Sequence, residues 1–445
     1  MAGTSGPEVI STRQRKLAEL AQLDPQLELT TIAHHIDLTW LREAYRRTRK
    51  DGAAGVDGVT AAAYEADLDA NLEHLLEQFK SGRYRAPAVR RVHIPKPGKA
   101  GKTRPLGIPT LEDKVLQRAV LMVLEPIFEQ DFVDCSYGFR PGRGAHQALE
   151  ALWRGLMSLD GGWVIDLDIQ SFFDEVDRGH MRDFLGRRVR DGVIRRAVGK
   201  WMRAGVMEDG AVRYPERGTP QGGVISPLLS NLYLHHVVDL WFERDVQPRL
   251  RGRAMMVRYA DDAVLAFERE EDARRVLAVL GKRFGKYGLR LHPDKTRLVD
   301  FRRPTRRPPG GTQRERSFAL LGFTHHWGRS RKGRWVVKRK TAKDRLMRAV
   351  RAIDDWCRQN RHLPMAVQWR TLCRKVQGHY AYYGITGNYR ALTRFYWRAV
   401  ALWHKWLARR SHARLTWDHF ARLIRRHYPL PPPRVVQSVY RAATP

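Results

Sequence analysis

Two adjacent carboxylates, Asp261 and Asp262, lie in the run MMVRYADDAVLAF (255–267), which is apolar on both sides of the acids. That pattern predicts a β-hairpin with the acids at its turn. Paired carboxylates between apolar strands are costly unless a cation neutralises them. Magnesium is a hard cation that takes carboxylate, water and phosphate oxygens. Two such ions roughly 4 Å apart would activate an attacking hydroxyl and stabilise a leaving pyrophosphate in an in-line displacement. A solvated Asp-Asp turn is the plain alternative.

A further carboxylate has to come from another strand. Asp166 and Asp168 in VIDLDIQSFFD (164–174) are two residues apart, so in a strand they share one face. One of them is the natural third ligand; a capping role is the competing reading, and Asp174 is read as a structural cap. The run GTPQGG (218–223) supplies a third signal. Its adjacent glycines, Gly222 and Gly223, let the backbone approach a ligand closely. Gln221 between them and the proline is placed to contact a nucleotide or a template base, and Ser226-Pro227 opens an apolar helix. GKAGKT (98–103) looks like a phosphate loop, but it has two residues between its glycines where that motif needs four, so it reads as a turn.

The elements that must position these groups follow from periodicity and breakers. Residues 1–80 read as mostly helical, with a Gly-rich loop before a helix beginning near Thr60. RRVHIPKPGKAGKTRPLGIPT (90–110) reads as two strands joined by a turn, and Leu111 to Gln130 as a helix. WVIDLDI (163–169) reads as one short strand. Between Arg302 and Arg351 there are 17 Lys or Arg and 2 acids, and RRPTRRPPGGTQRER (302–316) is expected to be an exposed linker. After Thr341 the chain reads as helical again, with Trp356, Trp369, Tyr380, Tyr389, Phe395 and Trp397 interleaved with basic residues. PLPPPRVVQSVY (429–440) should be extended.

Composition narrows the partners. The 445 residues carry 81 Lys and Arg against 47 Asp and Glu, a formal net charge of +34. Such a surplus repels itself unless a polyanion offsets it, and nucleic acid is the commonest one. Cys135, Cys357 and Cys373 form no paired-cysteine motif, which argues against a zinc module and a disulfide framework. No apolar run is long enough to span a membrane, and the first twenty residues lack the apolar centre of a signal peptide. A cytoplasmic protein without membrane partners is expected. The pairs His34-His35, His235-His236 and His325-His326 are not metal-site spacings, since neighbouring residues point apart.

The blocks DIQSFFD (168–174), GTPQGGVISPLLSNLYL (218–234), RYADD (258–262), GLRLHPDKT (288–296) and LLGF (320–323) occur in an order that resembles the reverse transcriptases encoded by group II introns. KTRPLGIPTLEDKVLQRAV (102–120) and CSYGFRPGRGAHQAL (135–149) resemble the fingers region of that family. The resemblance implies an α+β fold shaped as a right hand: a helical N-terminal extension (1–80), fingers (81–160), a palm on an antiparallel sheet (161–328), a helical thumb and maturase domain (329–405) and a short basic segment (406–445) able to contact DNA.

It also implies roles. Asp168 and Asp261 would hold both of two magnesium ions, with Asp262 the weaker ligand and the Ile169 carbonyl an extra one. Asp168, not Asp166, matches the family's pattern. Phe173 matches the aromatic that excludes a ribose 2′-hydroxyl. Lys96 and Arg104 match basic residues that hold the triphosphate. Lys295 matches a lysine that protonates the leaving pyrophosphate. Gln221 and Gly222 would contact the incoming nucleotide. The implied partners are an RNA template (for this family an intron RNA), a DNA primer or target, deoxynucleoside triphosphates and, as a candidate, a second copy of the chain. Basic residues interleaved with aromatics suit phosphates and unpaired bases.

The paired cysteines and His-Asn-His core that end many family members with an endonuclease are absent from these residues, so cleavage of a DNA target is not expected. The leading reading is an RNA-directed DNA polymerase that also serves as a maturase. The alternatives are a domesticated relative in phage defence or DNA repair, and a splicing factor that only binds RNA. An RNA-dependent RNA polymerase shares the palm, and Phe173 argues against it.

Overall fold

The computed structural model describes residues 6–95, 101, 103–304, 316–410 and 415–438. The helices α1 (Gly6–Leu23), α2 (Leu38–Arg47), α3 (Ala61–Ala66) and α4 (Leu68–Ser81) lead into the strands β1 (Val89–Pro95) and β2 (Thr103–Ile108). After α5 (Leu111–Phe128) and α6 (Ala145–Ser158), β3 (Trp163–Leu167) and β4 (Ile169–Gln170) flank Asp168. Then come α7 (Phe172–Glu175), α8 (Arg178–Gly186), α9 (Gly192–Met202), β5 (Val206–Glu208), β6 (Ala211–Arg213) and α10 (Ser226–Leu234). The strands β7 (Ala254–Tyr259) and β8 (Asp262–Phe267), α11 (Glu270–Lys286), β9 (Arg290–Leu291) and β10 (Arg297–Asp300) follow. The remainder is β11 (Phe318–Leu320), β12 (Phe323–Arg329), β13 (Trp335–Thr341), α12 (Lys343–Gln359), α13 (Met365–Tyr383), α14 (Tyr389–Leu407) and α15 (Trp417–Arg426).

Two compact units emerge: the described residues through Ala148 with Leu167–Leu298, and Leu149–Asp166 with the described residues from Val299 onward. In the first, helix starts follow their caps. The Asp37 carboxylate accepts from Trp40 N at 2.8 Å, and the Thr110 hydroxyl from Asp113 N at 3.2 Å. Thr60 caps α3 in the same way, as the sequence suggests. α5 is buried along most of its length, and the fully buried Trp40 donates its indole N–H to the Ala119 carbonyl at 2.9 Å. The end of α1 and the loop after it are fastened by Arg188. Its guanidinium donates to the carbonyls of Ala21, Asp24 and Leu27 at 2.7, 2.8 and 3.1 Å and pairs with Asp131 at 3.2 Å.

The expected pair of strands forms β1 and β2, antiparallel from Arg90 opposite Ile108 to Pro95 opposite Thr103, in a sheet of order β2-β1-β5-β6. A second sheet has the order β10-β3-β8-β7. The sequence reading of 163–169 as one strand needs correction. The strand breaks at Asp168, and β4 pairs instead with β9, Ile169 opposite Leu291.

In the second unit β11, β12 and β13 form an antiparallel sheet, and α12 to α14 bury Leu372, Val376, Tyr380, Leu392 and Trp403. Phe420 of α15 and Leu430 beyond it enter the same core. The extended segment near 429–437 is tied down: the Pro429 and Pro431 carbonyls accept from Trp369 and Tyr380 at 2.9 and 3.2 Å. Most of the expected linker, 305–315, and the GKAGK turn except Gly101 lie outside the described residues. No described helix is long and apolar enough to cross a membrane.

Candidate active site

The acidic hairpin forms as the sequence suggests, and its turn is tight. Tyr259 and Asp262 face each other as the last pair of the β7–β8 ladder, so Ala260 and Asp261 alone make the turn. Asp262 therefore belongs to the strand, where it is exposed, while Asp261 is half-buried at the tip. Ala260 has φ +56°, a left-handed conformation that a turn of this kind normally gives to glycine. Such a residue persists only where its surroundings hold it.

Arg258, only 1% exposed, is what holds it. All five guanidinium N–H donors find acceptors. Nε and Nη2 meet the two carboxylate oxygens of Asp239 at 2.7 and 2.5 Å. Nη1 donates to Asn231 Oδ1 and to the Ala260 carbonyl, both at 3.0 Å, and Nη2 also reaches Ser136 Oγ at 2.7 Å. Burial opposes the Arg258 charge, but Asp239 more than offsets this, and with a smaller contribution from Asp261 it keeps the guanidinium above the usual arginine range. Asp239 is 0% exposed and sits where α10 continues in wider π-type turns.

The segment Cys135–Phe139 closes the far side. Arg258 N donates to the Cys135 carbonyl at 2.8 Å and Tyr137 N to the Arg258 carbonyl at 2.9 Å. Gly138 then lies flat against the turn: a Cβ there would stand 2.4 Å from Ala260 N. Sequence reasoning missed Arg258, Asp239 and Asn231. The available signal was an arginine inside an apolar strand, which must find buried partners.

Asp168 occupies the break between β3 and β4. Its carbonyl accepts from His292 N at 2.9 Å and Thr296 Oγ1 at 3.2 Å, which clamps the HPDKT turn beneath it. Lys295 is brought to it: Nζ stands 2.9 Å from both carboxylate oxygens. Ile169 is buried in the β4–β9 ladder. Among the described residues, no three His, Cys, Asp or Glu side chains are gathered into a group that could hold a metal ion. Asp168 instead has the Lys295 ammonium as its counter-ion.

Two of the expected nucleotide contacts touch each other. With its amide nitrogen donating to the Pro105 carbonyl at 3.2 Å, Gln221 accepts from Arg104 Nη2 at 2.6 Å and Nε at 3.2 Å. Their backbones are coupled as well, since Gly107 N donates to the Gln221 carbonyl at 2.6 Å. Gly222, at φ +121°, sits so close to β2 that a Cβ would come within 2.2 Å of the Gly107 carbonyl oxygen. Phe173 is half-buried, edge-to-face on Phe172 at 5.3 Å, and its carbonyl accepts from Thr219 N of the same loop at 2.8 Å. Lys96 lies outside the described residues.

The aromatics of the second unit divide into two sets. Tyr380, Phe395 and Trp403 are core. Trp397 and Tyr389 are 57% and 54% exposed, on a helix that also carries Arg390, Arg394 and Arg398.

Comparison with known proteins gives these features a family. Residues 94–325 match the model described as reverse transcriptase (RNA-dependent DNA polymerase). Protein YkfC of Escherichia coli K12 is 37% identical over 330 residues, covering 65% of this chain and 84% of its own length. The group II intron-encoded protein LtrA of Lactococcus lactis subsp. cremoris is 31% identical over 252 residues, which are 54% of this chain and 41% of LtrA. A putative COX1/OXI3 intron 1 protein of Saccharomyces cerevisiae is 27% identical over 253 residues, 56% of this chain and 29% of that protein. The chain belongs to the reverse transcriptases, the RNA-directed DNA polymerases, and its relatives include proteins encoded by group II introns.

Proposed function

We propose that this enzyme copies RNA through a two-magnesium site on Asp168, Asp261 and Asp262, and that it also binds and assists the splicing of a group II intron RNA. The observation that carries the first part is the setting of Asp168: it stands half-buried in the break after β3, and Lys295 Nζ lies 2.9 Å from both of its carboxylate oxygens, so the site already neutralises a cation. The donor set suits magnesium, since it consists of hard carboxylate oxygens that solvent can reach, with the Ile169 carbonyl as an additional oxygen. Magnesium bound there would activate the primer hydroxyl and stabilise the pyrophosphate leaving group.

The chain's own groups do the rest. Arg258 fixes the hairpin tip and so the direction of the Asp261 carboxylate. Arg104 and, outside the described residues, Lys96 meet the triphosphate of the incoming deoxynucleotide, and Gln221 and Gly222 contact it from the loop. Phe173 offers a 2′-hydroxyl neither space nor a hydrogen bond. Lys295 moves from Asp168 to give its proton to the departing pyrophosphate.

In this reading residues 81–160 are fingers, 161–328 palm and 329–405 thumb, preceded by a helical extension (1–80) and followed by a basic segment (406–445). The exposed Trp397 and Tyr389 among arginines support RNA contact by the thumb. Primer extension on an RNA template with magnesium tests the core of the proposal. The wild type should make product and Asp261→Ala should not; equal activity would end the assignment.

A further inference from the structure

Besides the Thr219–Phe173 bond at its start, the Gln221 loop is anchored at two places. One is β2, through Gly107 and Arg104. The other is a buried polar chain to which no role has been given. Asp113, in the first turn of α5, is 2% exposed, yet it accepts three hydrogen bonds. Its Oδ1 takes the Tyr84 hydroxyl and, at 2.7 Å, the Trp201 indole N–H. Its Oδ2 takes Gln117 Nε2 at 3.0 Å, one helical turn further along α5. Gln117, 3% exposed, spends its other end on the loop: its Oε1 accepts from Ile225 N at 3.3 Å. Burial pushes the Asp113 carboxyl up to about 6, against the pull of the three donors. A carboxylate in such a place is expensive and would be replaced by an apolar residue if packing were its only purpose.

We propose that Asp113 and Gln117 form a strut that sets the height of the 218–226 loop, and so act as positioning residues for Gln221 against the incoming nucleotide. The inference rests on the reading of Gln221 as a nucleotide contact. The polarity of the strut is fixed from one end. Asp113 can only accept, so Gln117 must turn its nitrogen inward and its oxygen toward the Ile225 N–H. The loop is therefore held by an amide whose orientation a carboxylate two elements away determines.

That polarity supplies the test. In Asp113→Asn the new amide nitrogen faces Gln117 Nε2, donor against donor. Rotating Gln117 would place its nitrogen against the Ile225 N–H, and turning the new amide over would set its nitrogen against the Trp201 indole N–H, so each rearrangement moves the mismatch without removing it. The double variant Asp113→Asn with Gln117→Glu restores every donor–acceptor pair: the new amide donates to one carboxylate oxygen and Ile225 N to the other. It also keeps a single carboxyl group. Gln117→Met removes the link without adding charge.

Primer extension should be measured over a range of deoxynucleotide concentrations, with thermal melting of each variant by circular dichroism and with Gln221→Ala alongside. We expect KM for the nucleotide to rise about ten-fold in Asp113→Asn and in Gln117→Met, the scale of one lost buried hydrogen bond. kcat should stay within about two-fold, since the reacting groups are untouched. The double variant should return KM to within about two-fold of wild type. A folded Gln117→Met with unchanged KM overturns the proposal, as does a double variant no better than Asp113→Asn. If Gln221→Ala leaves KM unchanged, the nucleotide role of Gln221 fails and the strut's role in nucleotide binding fails with it. If Gln221→Ala raises KM and the strut variants do not, only the strut is refuted.

Discussion

Replacing Arg258 by methionine should cost about 4 kcal/mol of stability, within the ~3–5 kcal/mol expected when one member of a buried ion pair is removed. The substitution leaves Asp239 at 0% exposure with no cation, and removes the donors that serve Asn231, Ser136 and the Ala260 carbonyl. Methionine refills much of the volume, so the loss is electrostatic more than a cavity effect. Those three acceptors would each contribute roughly 1–3 kcal/mol if stranded separately, but the network relaxes together and the terms do not add. Against a total stability of about 5–15 kcal/mol the change is large. Urea unfolding followed by circular dichroism at pH 7 measures it directly. The control is Arg258→Met with Asp239→Leu, which removes both charges and should recover most of the loss. A single variant that costs less than about 1 kcal/mol would show that the pair is not the support of the hairpin. So would a double variant that is no more stable than the single one.

Three other outcomes are expected. Phe173→Ala should admit ribonucleotides, lowering the ratio of kcat/KM for deoxy- over ribonucleotide by about ten-fold or more; an unchanged ratio would remove Phe173 from sugar selection. Lys295→Met should lower kcat by about 10²-fold or more in steady-state primer extension, and a kcat within two-fold of wild type would leave Lys295 as a counter-ion for Asp168 only. Acid should destabilise both units. Burial pushes His235 down to about 2, His325 to about 3 and His379 to about 4, all below the ordinary ~6.5 of the unfolded chain. Their neutral forms therefore support folding fully above about pH 6.5. That support is lost at up to about 1.4 kcal/mol per pH unit for each histidine as pH falls toward the folded values. Urea midpoints at pH 7, 5.5 and 4.5 would detect this, and flat midpoints would contradict it.

What could be read from the sequence was local. Apolar runs on both sides of two acids predict the β7–β8 hairpin, Thr60 marks the start of α3, and Ser226-Pro227 opens α10, because each signal lies within a few residues of what it specifies. The break at Asp168 was not legible. It exists because Ile169 pairs with Leu291 and the Asp168 carbonyl meets His292, more than 120 residues away. The Arg258 network has the same character, with partners at 136, 231 and 239. Counting aromatics could not separate Tyr380, which is core, from Trp397, which faces solvent: Tyr380 lies on the buried stripe of α13 with Leu372 and Val376, whereas Trp397 lies off the stripe of α14 formed by Leu392, Phe395, Ala399 and Trp403. The hairpin reading puts Asp261 and Asp262 at a turn, and the structure has Asp261 in that turn and Asp262 at the first position of β8. The meeting of Asp168 with Lys295, 127 residues away, depends on long-range geometry that periodicity does not encode.

Arg188 has a consequence for anyone trimming this enzyme. The family match starts at residue 94, inside β1, whereas the guanidinium of Arg188 is satisfied by carbonyls at 21, 24 and 27. A fragment cut to the matched region would keep the cation and Asp131 but discard its three carbonyl acceptors, along with the indole of Trp40 that covers α5. The matched region therefore stops short of the partners that Arg188 and α5 find upstream, and a fragment meant to keep them has to begin before Ala21.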